Sequence, residues 1–370
     1  MRIHHRSAFI MTVFFLGWFV ALFGFADPPA SKPAEPHFSG LGPHYRKITT
    51  TSDSTQAYFD QGLAFLFGFN HDEAIRSFEA AVVGDPQCAM AYWGIALANG
   101  PHINNPIVDE AHAKAAWTAL TKARALANRS TKVEQALIEA LGKRYADPQP
   151  ADRKPLDEAY AKAMEEVRKA YPDDADVGAL TAEALMDLRP WDQWTLAGQA
   201  QPGTAEVLRI LNNVLEHSPR HPLALHLMIH AVEASPHPEK ADVAAERLRD
   251  LQPALGHMVH MPSHIDVRRG RWHEAIIANE KAIAADAAYR KTVPQQGFYR
   301  VYMAHNHHML AYAAMMVGQS KKATQAIKDM LAGIPEEVIK TSAPMIDGYY
   351  AMPYELHLRF GRWDAMLAEP

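Results

Sequence analysis

One spacing of large and small side chains recurs along this chain and limits what it can build. From Thr55 onward, Tyr58, Gly62, Phe65, Ala74, Phe78, Ala81 and Pro86 alternate bulk and smallness at helical intervals. Small residues at 62, 74 and 81 let two helices approach closely, the rings at 58, 65 and 78 fill the space between them, and Pro86 stops the second helix. The register returns at Gly270, Trp272, Ala275 and Ala282, and again at Gly318, Ala323, Met330 and Pro335. Ala241, Ala245, Leu248 and Pro253 give a further copy, and Tyr92, Trp93 and Ala96 begin another directly after Pro86. Weaker copies with longer inserts cover about 130–172 and 175–220. The sum predicts an all-α stack of helical pairs, without a sheet, over residues 53–370.

Composition narrows the function classes. The chain has 370 residues, 48% of them hydrophobic, enough for a large core. Lys+Arg 37 against Asp+Glu 42 gives a net charge of −5, which excludes nucleic-acid binding through bulk positive charge. Cys88 is the single cysteine, so no intramolecular disulfide or multi-cysteine metal site can form. Arg2 and Arg6 precede an apolar run from Ala8 to Ala26, which ends in Gly24-Phe25-Ala26. Residues 1–26 are expected to be a signal peptide cleaved after Ala26, or else an uncleaved anchor that would be the only link to a membrane. Either way the chain is exported, and the lone cysteine points to a bacterial periplasm. Residues 27–52, proline-rich at their start, are expected to form a linker, with 27–43 disordered.

The repeated register resembles that of the tetratricopeptide repeat family, over about residues 53–370. That resemblance implies about six to seven helical pairs in a right-handed superhelix whose first helices line a concave groove for a protein or peptide ligand. The array ends shortly after Trp363, where a second helix and a polar cap should follow, so the chain is expected to be a truncated member of a longer family. In the family pattern the second, fifth, ninth, twelfth and thirteenth places of a repeat face the groove. Counted from Thr55 these are Gln56, Phe59, Leu63, Leu66 and Phe67; counted from Ala89 they include Met90, Trp93 and Leu97. Phe59 and Trp93 are thus candidate ligand contacts, although such residues more often pack against neighbouring helices.

The C-terminal half carries different chemistry at the same places. His226, His230 and Glu233 fall at the fifth, ninth and twelfth places of one repeat, and His257, His260 and His264 at the second, fifth and ninth of the next. His305 and His308 follow at the second and fifth places of a later one, with Tyr312 at the ninth. His226 to His260 and His230 to His264 are both 34 residues apart, one repeat. Residues four apart share a helix face and packed helices lie ~8–10 Å apart, so these imidazoles can converge. Glu183 and Asp187, also four apart, and Glu233 are the candidate carboxylate partners. Imidazole suits zinc, iron or copper, and the interleaved Met228, Met258, Met261, Met303, Met309, Met315 and Met316 admit copper as an option. His71, His102, His217, His221, His237, His273 and His357 lie outside the register and are read as ordinary structural or surface residues.

Three inserts exceed what a simple array needs: Arg189–Gln201, Ala287–Arg300 and Thr341–Tyr350. The first fits either a lid over the groove or a turn anchored by Trp191 and Trp194. No phosphate loop, nucleophile elbow or H-E-x-x-H motif is present. The expected function is an exported scaffold that binds a protein, peptide or other ligand in its groove and carries a His/Glu metal cluster. The alternative is a metal-dependent enzyme built on that cluster.

Overall fold

The computed structural model describes residues 35–334 and 336–369. The signal peptide expected over 1–26 and the first part of the linker lie outside them. Helices α1 (Asp53–Phe67), α2 (His71–Gly84), α3 (Ala89–Ala98) and α4 (Glu110–Leu126) come first. Next are α5 (Lys132–Leu141), α6 (Lys154–Ala170), α7 (Ala175–Met186) and α8 (Thr204–His217). The His-rich region holds α9 (Pro222–Glu233), α10 (Asp242–Leu248), α11 (Gly256–His260) and α12 (Pro262–Arg268). Helices α13 (Trp272–Thr292), α14 (Tyr299–Met316), α15 (Ser320–Gly333), α16 (Glu336–Arg359) and α17 (Trp363–Ala368) complete the set. The described residues contain no strand, only two isolated bridges, and none of their helices is long and apolar enough to cross a membrane. Helices adjacent in sequence pack on one another, as in α1 with α2, α3 with α4, α7 with α8 and α14 with α15.

Local signals explain these boundaries. Ser52, Asn70, Asp109 and Asp174 each accept a backbone N–H at a helix start, and Thr131 forms a capping box with Glu134. Phe78 is wedged between α1 and α3, where a Cβ at Gly62 would lie 2.5 Å from its ring and one at Gly94 2.6 Å. Gly270, Gly318 and Gly361 take the left-handed turn between paired helices at φ 71°, 75° and 62°. Residues 256–268 form two helices, divided after His260, because Pro262 has no N–H to continue the ladder.

The segment before α1 is not the unpacked linker that its prolines suggested. Gln61 bonds the Phe38 N–H and the Pro36 carbonyl, and the Gln252 amide donates to the Leu41 carbonyl at 2.8 Å. Arg46, 9% exposed, pairs with Asp174 and Asp176 at 2.9 Å, and Thr49 bonds Glu134. Ile48 is buried. Proline content marked an irregular backbone correctly but said nothing about polar residues elsewhere that would satisfy it.

Breaking one partner of a buried ion pair costs about 3–5 kcal/mol, because the other charge stays buried. Arg46→Met is therefore expected to lower the melting temperature and open residues 35–52 to limited proteolysis. Unchanged melting and unchanged cleavage would show that the segment is not fastened by this pair.

Candidate metal centre

The histidine register brings two sets of three imidazoles together, His226, His230 and His257 in one and His260, His264 and His305 in the other. In the first, Nε2 of His226 lies 3.1 Å from Nε2 of His230 and 3.1 Å from Nε2 of His257. In the second, Nε2 of His264 lies 2.8 Å from Nε2 of His260 and 3.4 Å from Nε2 of His305. Helix α9 supplies two members of the first set at i and i+4, and α11 supplies the third. The second set draws on α11, α12 and α14. His257 and His260, both on α11, serve different sets, and His264, beyond the break at Pro262, joins His260. The sets adjoin, with the His257 and His260 rings stacked at 5.9 Å and the His230 and His264 rings 6.0 Å apart.

Hydrogen bonds on the outer nitrogens decide what faces inward. His226 Nδ1 lies 2.8 Å from the Phe67 carbonyl, which can only accept, so Nδ1 carries the proton and Nε2 a bare lone pair. Glu233 fixes two rings at once, through Oε1 to His230 Nδ1 at 2.8 Å and through Oε2 to His264 Nδ1 at 2.5 Å. Asn279 donates its amide N–H to the Ala275 carbonyl, which turns Oδ1 toward His260 Nδ1 at 2.7 Å. In their neutral forms these four imidazoles direct lone pairs inward, and two pairs of them then meet at 3.1 and 2.8 Å with no proton between. A shared cation turns that repulsion into binding. Two nitrogens at 2.0–2.1 Å from a tetrahedral ion are separated by about 3.3 Å, close to the observed spacings.

Electrostatics keep the rings in ligand form. Burial, followed by the neighbouring imidazoles, pushes His226, His257, His260 and His305 well below the usual histidine range. Burial also lowers His230, against the pull of Glu233. Burial would raise the Glu233 carboxyl, but His264 and His230 outweigh it and hold it below the usual carboxylate range. Arg268 fastens the end of α9 by donating to the carbonyls of Glu233 and Ser235 at 2.7 and 2.9 Å. Its helix is held in turn by buried Asp266, paired with Arg249 at 2.8 Å and Arg271 at 3.0 Å. Such outer partners fix ligand orientation and basicity.

Two residues outside the register complete the surroundings. Phe69 occupies the turn position that glycine holds at 270 and 318, yet it has φ 56°. Its ring lies 4.4 Å from His226 and 5.7 Å from His257. Trp191, at φ 59°, sets its ring edge-on to His230 at 5.3 Å. These are the non-glycine residues with positive φ among the described residues, and both rest on the histidines. Strained backbone of this kind collects at functional sites. The Arg189–Gln201 insert is anchored by Trp194, whose indole donates to the Ala231 carbonyl at 2.7 Å, while Trp191 stays 57% exposed.

Other expected site residues fall elsewhere. Phe59 and Trp93 are 0% and 1% exposed and belong to the core, because the helix faces assigned to the groove pack on neighbouring elements. Asp187 pairs with buried Arg144, which lies over the Tyr160 ring. Burial and the adjacent Asp187 raise Glu183 to about 8, so neither carboxylate serves the histidines as Glu233 does. His308 stands behind the second set, its Nδ1 3.4 Å from Nδ1 of His305 and its ring 5.3 Å from Tyr349. Tyr312 packs near Trp272 at 6.0 Å, away from both sets. Met258 and Met261 fill the core, and Cys88 is buried with its thiol pushed up to about 11 by burial.

A third grouping, His44, His221 and Asp176, shows why proximity alone is insufficient. The His221 Nδ1 accepts the Ala224 N–H, so its Nε2 must donate to Asp176 at 3.0 Å. Arg46 contacts the same carboxylate at 2.9 Å, and this group is an ion-pair network. Neither a protein-family model nor a curated protein matches this chain.

The tautomers are directly measurable. Nitrogen-15 spectra of the metal-free protein should show His226, His230, His260 and His264 protonated at Nδ1 with bare Nε2. Finding Nε2–H forms at His226 and His260 would remove the facing lone pairs.

Proposed function

We propose that this chain is a metal-dependent protein in which the two histidine sets bind a pair of transition-metal ions. The observation that carries this is the pair of short Nε2–Nε2 approaches between rings whose protons are all committed outward. Three imidazoles leave a fourth coordination position for water or substrate, as in catalytic zinc sites. A cavity of about 340 Å³ borders His230, His257, His264 and His305, so that position has room for a reactant. This favours an enzyme over a peptide-binding scaffold. Residues 35–52 also weigh against a peptide groove, since they occupy polar partners on α1, α5 and α7. An all-imidazole set suits zinc, iron or copper, with Glu233 orienting rings and not ligating. The tetratricopeptide-like superhelix, and export through residues 1–26, belong to the same proposal.

Elemental analysis of full-length protein, purified without chelator after growth with zinc, iron and copper, tests it. About two ions per chain are expected, with one lost in His226→Ala and one in His260→Ala. No stoichiometric metal under any supplement refutes the proposal.

Acid adds a second prediction. Histidines whose folded pKa is depressed bind fewer protons folded than unfolded, so stability rises with pH across that interval. The metal-free protein should therefore lose stability as pH falls below about 6.5, the ordinary imidazole value. At pH 7, free metal at a hundred times its dissociation constant should add about 2.7 kcal/mol per site. Thermal melts across pH 5–8, with and without metal, check both signs.

A further inference from the structure

The two histidine sets share one open face. His226 and His260 are 0% exposed. The other four imidazoles, His230 and His257 of the first set and His264 and His305 of the second, border the same cavity of about 340 Å³. The sets are also no farther apart than their own members. Ring centres stand 6.3 Å apart for His230 and His257 within the first set. Between the sets they stand 5.9 Å apart for His257 and His260, and 6.0 Å for His230 and His264. Ions held in the two sets are therefore neighbours, and one small ligand in the cavity can reach both, as in other two-metal sites.

The donors decide how much charge such a pair can carry. Neutral imidazoles contribute none, and Glu233 is the one carboxylate bonded to the rings. No lysine, arginine, aspartate or glutamate lines the cavity. Beside Glu233, two divalent ions would leave three positive charges uncompensated, and two monovalent ions only one. The cost of holding charge away from water climbs steeply with its amount. Copper is the first-row metal with an accessible monovalent ion. As Cu(II) it also heads the affinity order for nitrogen donors, so the same imidazoles can hold both oxidation states.

The ligand that joins two such ions must suit the cavity. Beyond the imidazoles its walls are Asn104, Val301 and four aromatic side chains, which offer no counter-charge to an incoming ion. A small, neutral molecule that can take one electron from each copper meets these conditions, and dioxygen is such a molecule. We propose that the paired histidine sets hold two Cu(I) ions that bind dioxygen between them, in the cavity they share. Each copper gives up one electron and becomes Cu(II). Dioxygen accepts both electrons, keeps a single bond between its atoms and bridges the ions as a dianion. No proton and no further reductant enters, and the net charge of the site is the same before and after. The inference rests on the metal pair of the preceding section, and adds which metal it is and what it binds.

The test uses the full chain, stripped of metal and titrated with Cu(I) under anaerobic conditions against a coloured Cu(I) chelator. About two Cu(I) per chain are expected. Admitting dioxygen should then consume one molecule for each two coppers and raise a strong near-ultraviolet absorption. The electron paramagnetic resonance signal of isolated Cu(II) should stay absent, because the spins of a bridged pair cancel. Zinc-loaded protein should take up no dioxygen. His260→Ala should retain the copper of the first set and lose dioxygen uptake; His305→Ala, at the cavity face, gives the same reading if the buried substitution disturbs the circular dichroism. Two bound Cu(I) without dioxygen uptake, or with an isolated Cu(II) signal after exposure, overturns this inference and leaves the metal pair standing. Stoichiometric zinc or iron with no Cu(I) binding does the same. Undiminished uptake in a folded variant that holds one copper overturns the bridging arrangement. Failure to bind any metal refutes both proposals.

Discussion

The site depends on how a few outer hydrogen bonds dispose of imidazole protons. A neutral imidazole has one N–H, and wherever Nδ1 faces an obligate acceptor the other nitrogen is left bare. The Phe67 carbonyl, both Glu233 oxygens and the oriented Asn279 amide each impose that choice on one ring. Glu233 matters most, because one carboxylate sets a ring in each histidine set and so ties the orientation of one to the other. Its negative charge also sits where cations bound to both sets would be partly compensated.

The remaining structure holds this arrangement against its own cost. Desolvated rings crowded at these distances repel, and the backbone at Phe69 and Trp191 carries strain of about 1–3 kcal/mol each. Opposing this are a large contiguous core, the Arg268 clamp on α9 and the Asp266 ion pairs that fix α12. Cys88 and the buried methionines Met228, Met258 and Met261 take part as packing. Glycine at position 69 would relieve the turn but remove the ring that closes one side of the first histidine set.

Much of this was legible in the residues. Bulk and smallness at helical spacing indicated paired helices, since Gly62 and Phe78 are complementary shapes one turn position apart on facing elements. The 34-residue spacing of His226 with His260 and of His230 with His264 marked those rings as equivalent in pattern, yet the structure divides each equivalent pair between the two sets. What the pattern could not show was depth. Phe59 and Trp93 share the register of the histidines, but burial depends on what packs from outside the repeat. Position 69 is also periodic, the place where later copies hold glycine, and a phenylalanine there was a signal available and overlooked. Glu183 and Asp187 had helical spacing but no visible cation; Arg144, which claims Asp187, lies far off in sequence. Asn279 and Phe67 act through an amide and a backbone carbonyl, groups too common for sequence to single out.

The segment that precedes α1 imposes an order on assembly. Several of its partners are made long after it: Asp174 is 128 residues downstream of Arg46, and Gln252 is 211 downstream of Leu41. During synthesis, residues 35–52 emerge well before these distant partners and cannot complete their docking until Gln252 has been made. Closing such long loops is slow, and their apolar members stay accessible meanwhile. Phe67, at the end of α1, likewise reaches His226 only across 159 residues. The first histidine set therefore cannot acquire its final proton arrangement until the two ends of this span have met, and maturation of the centre becomes a late event in the life of the chain.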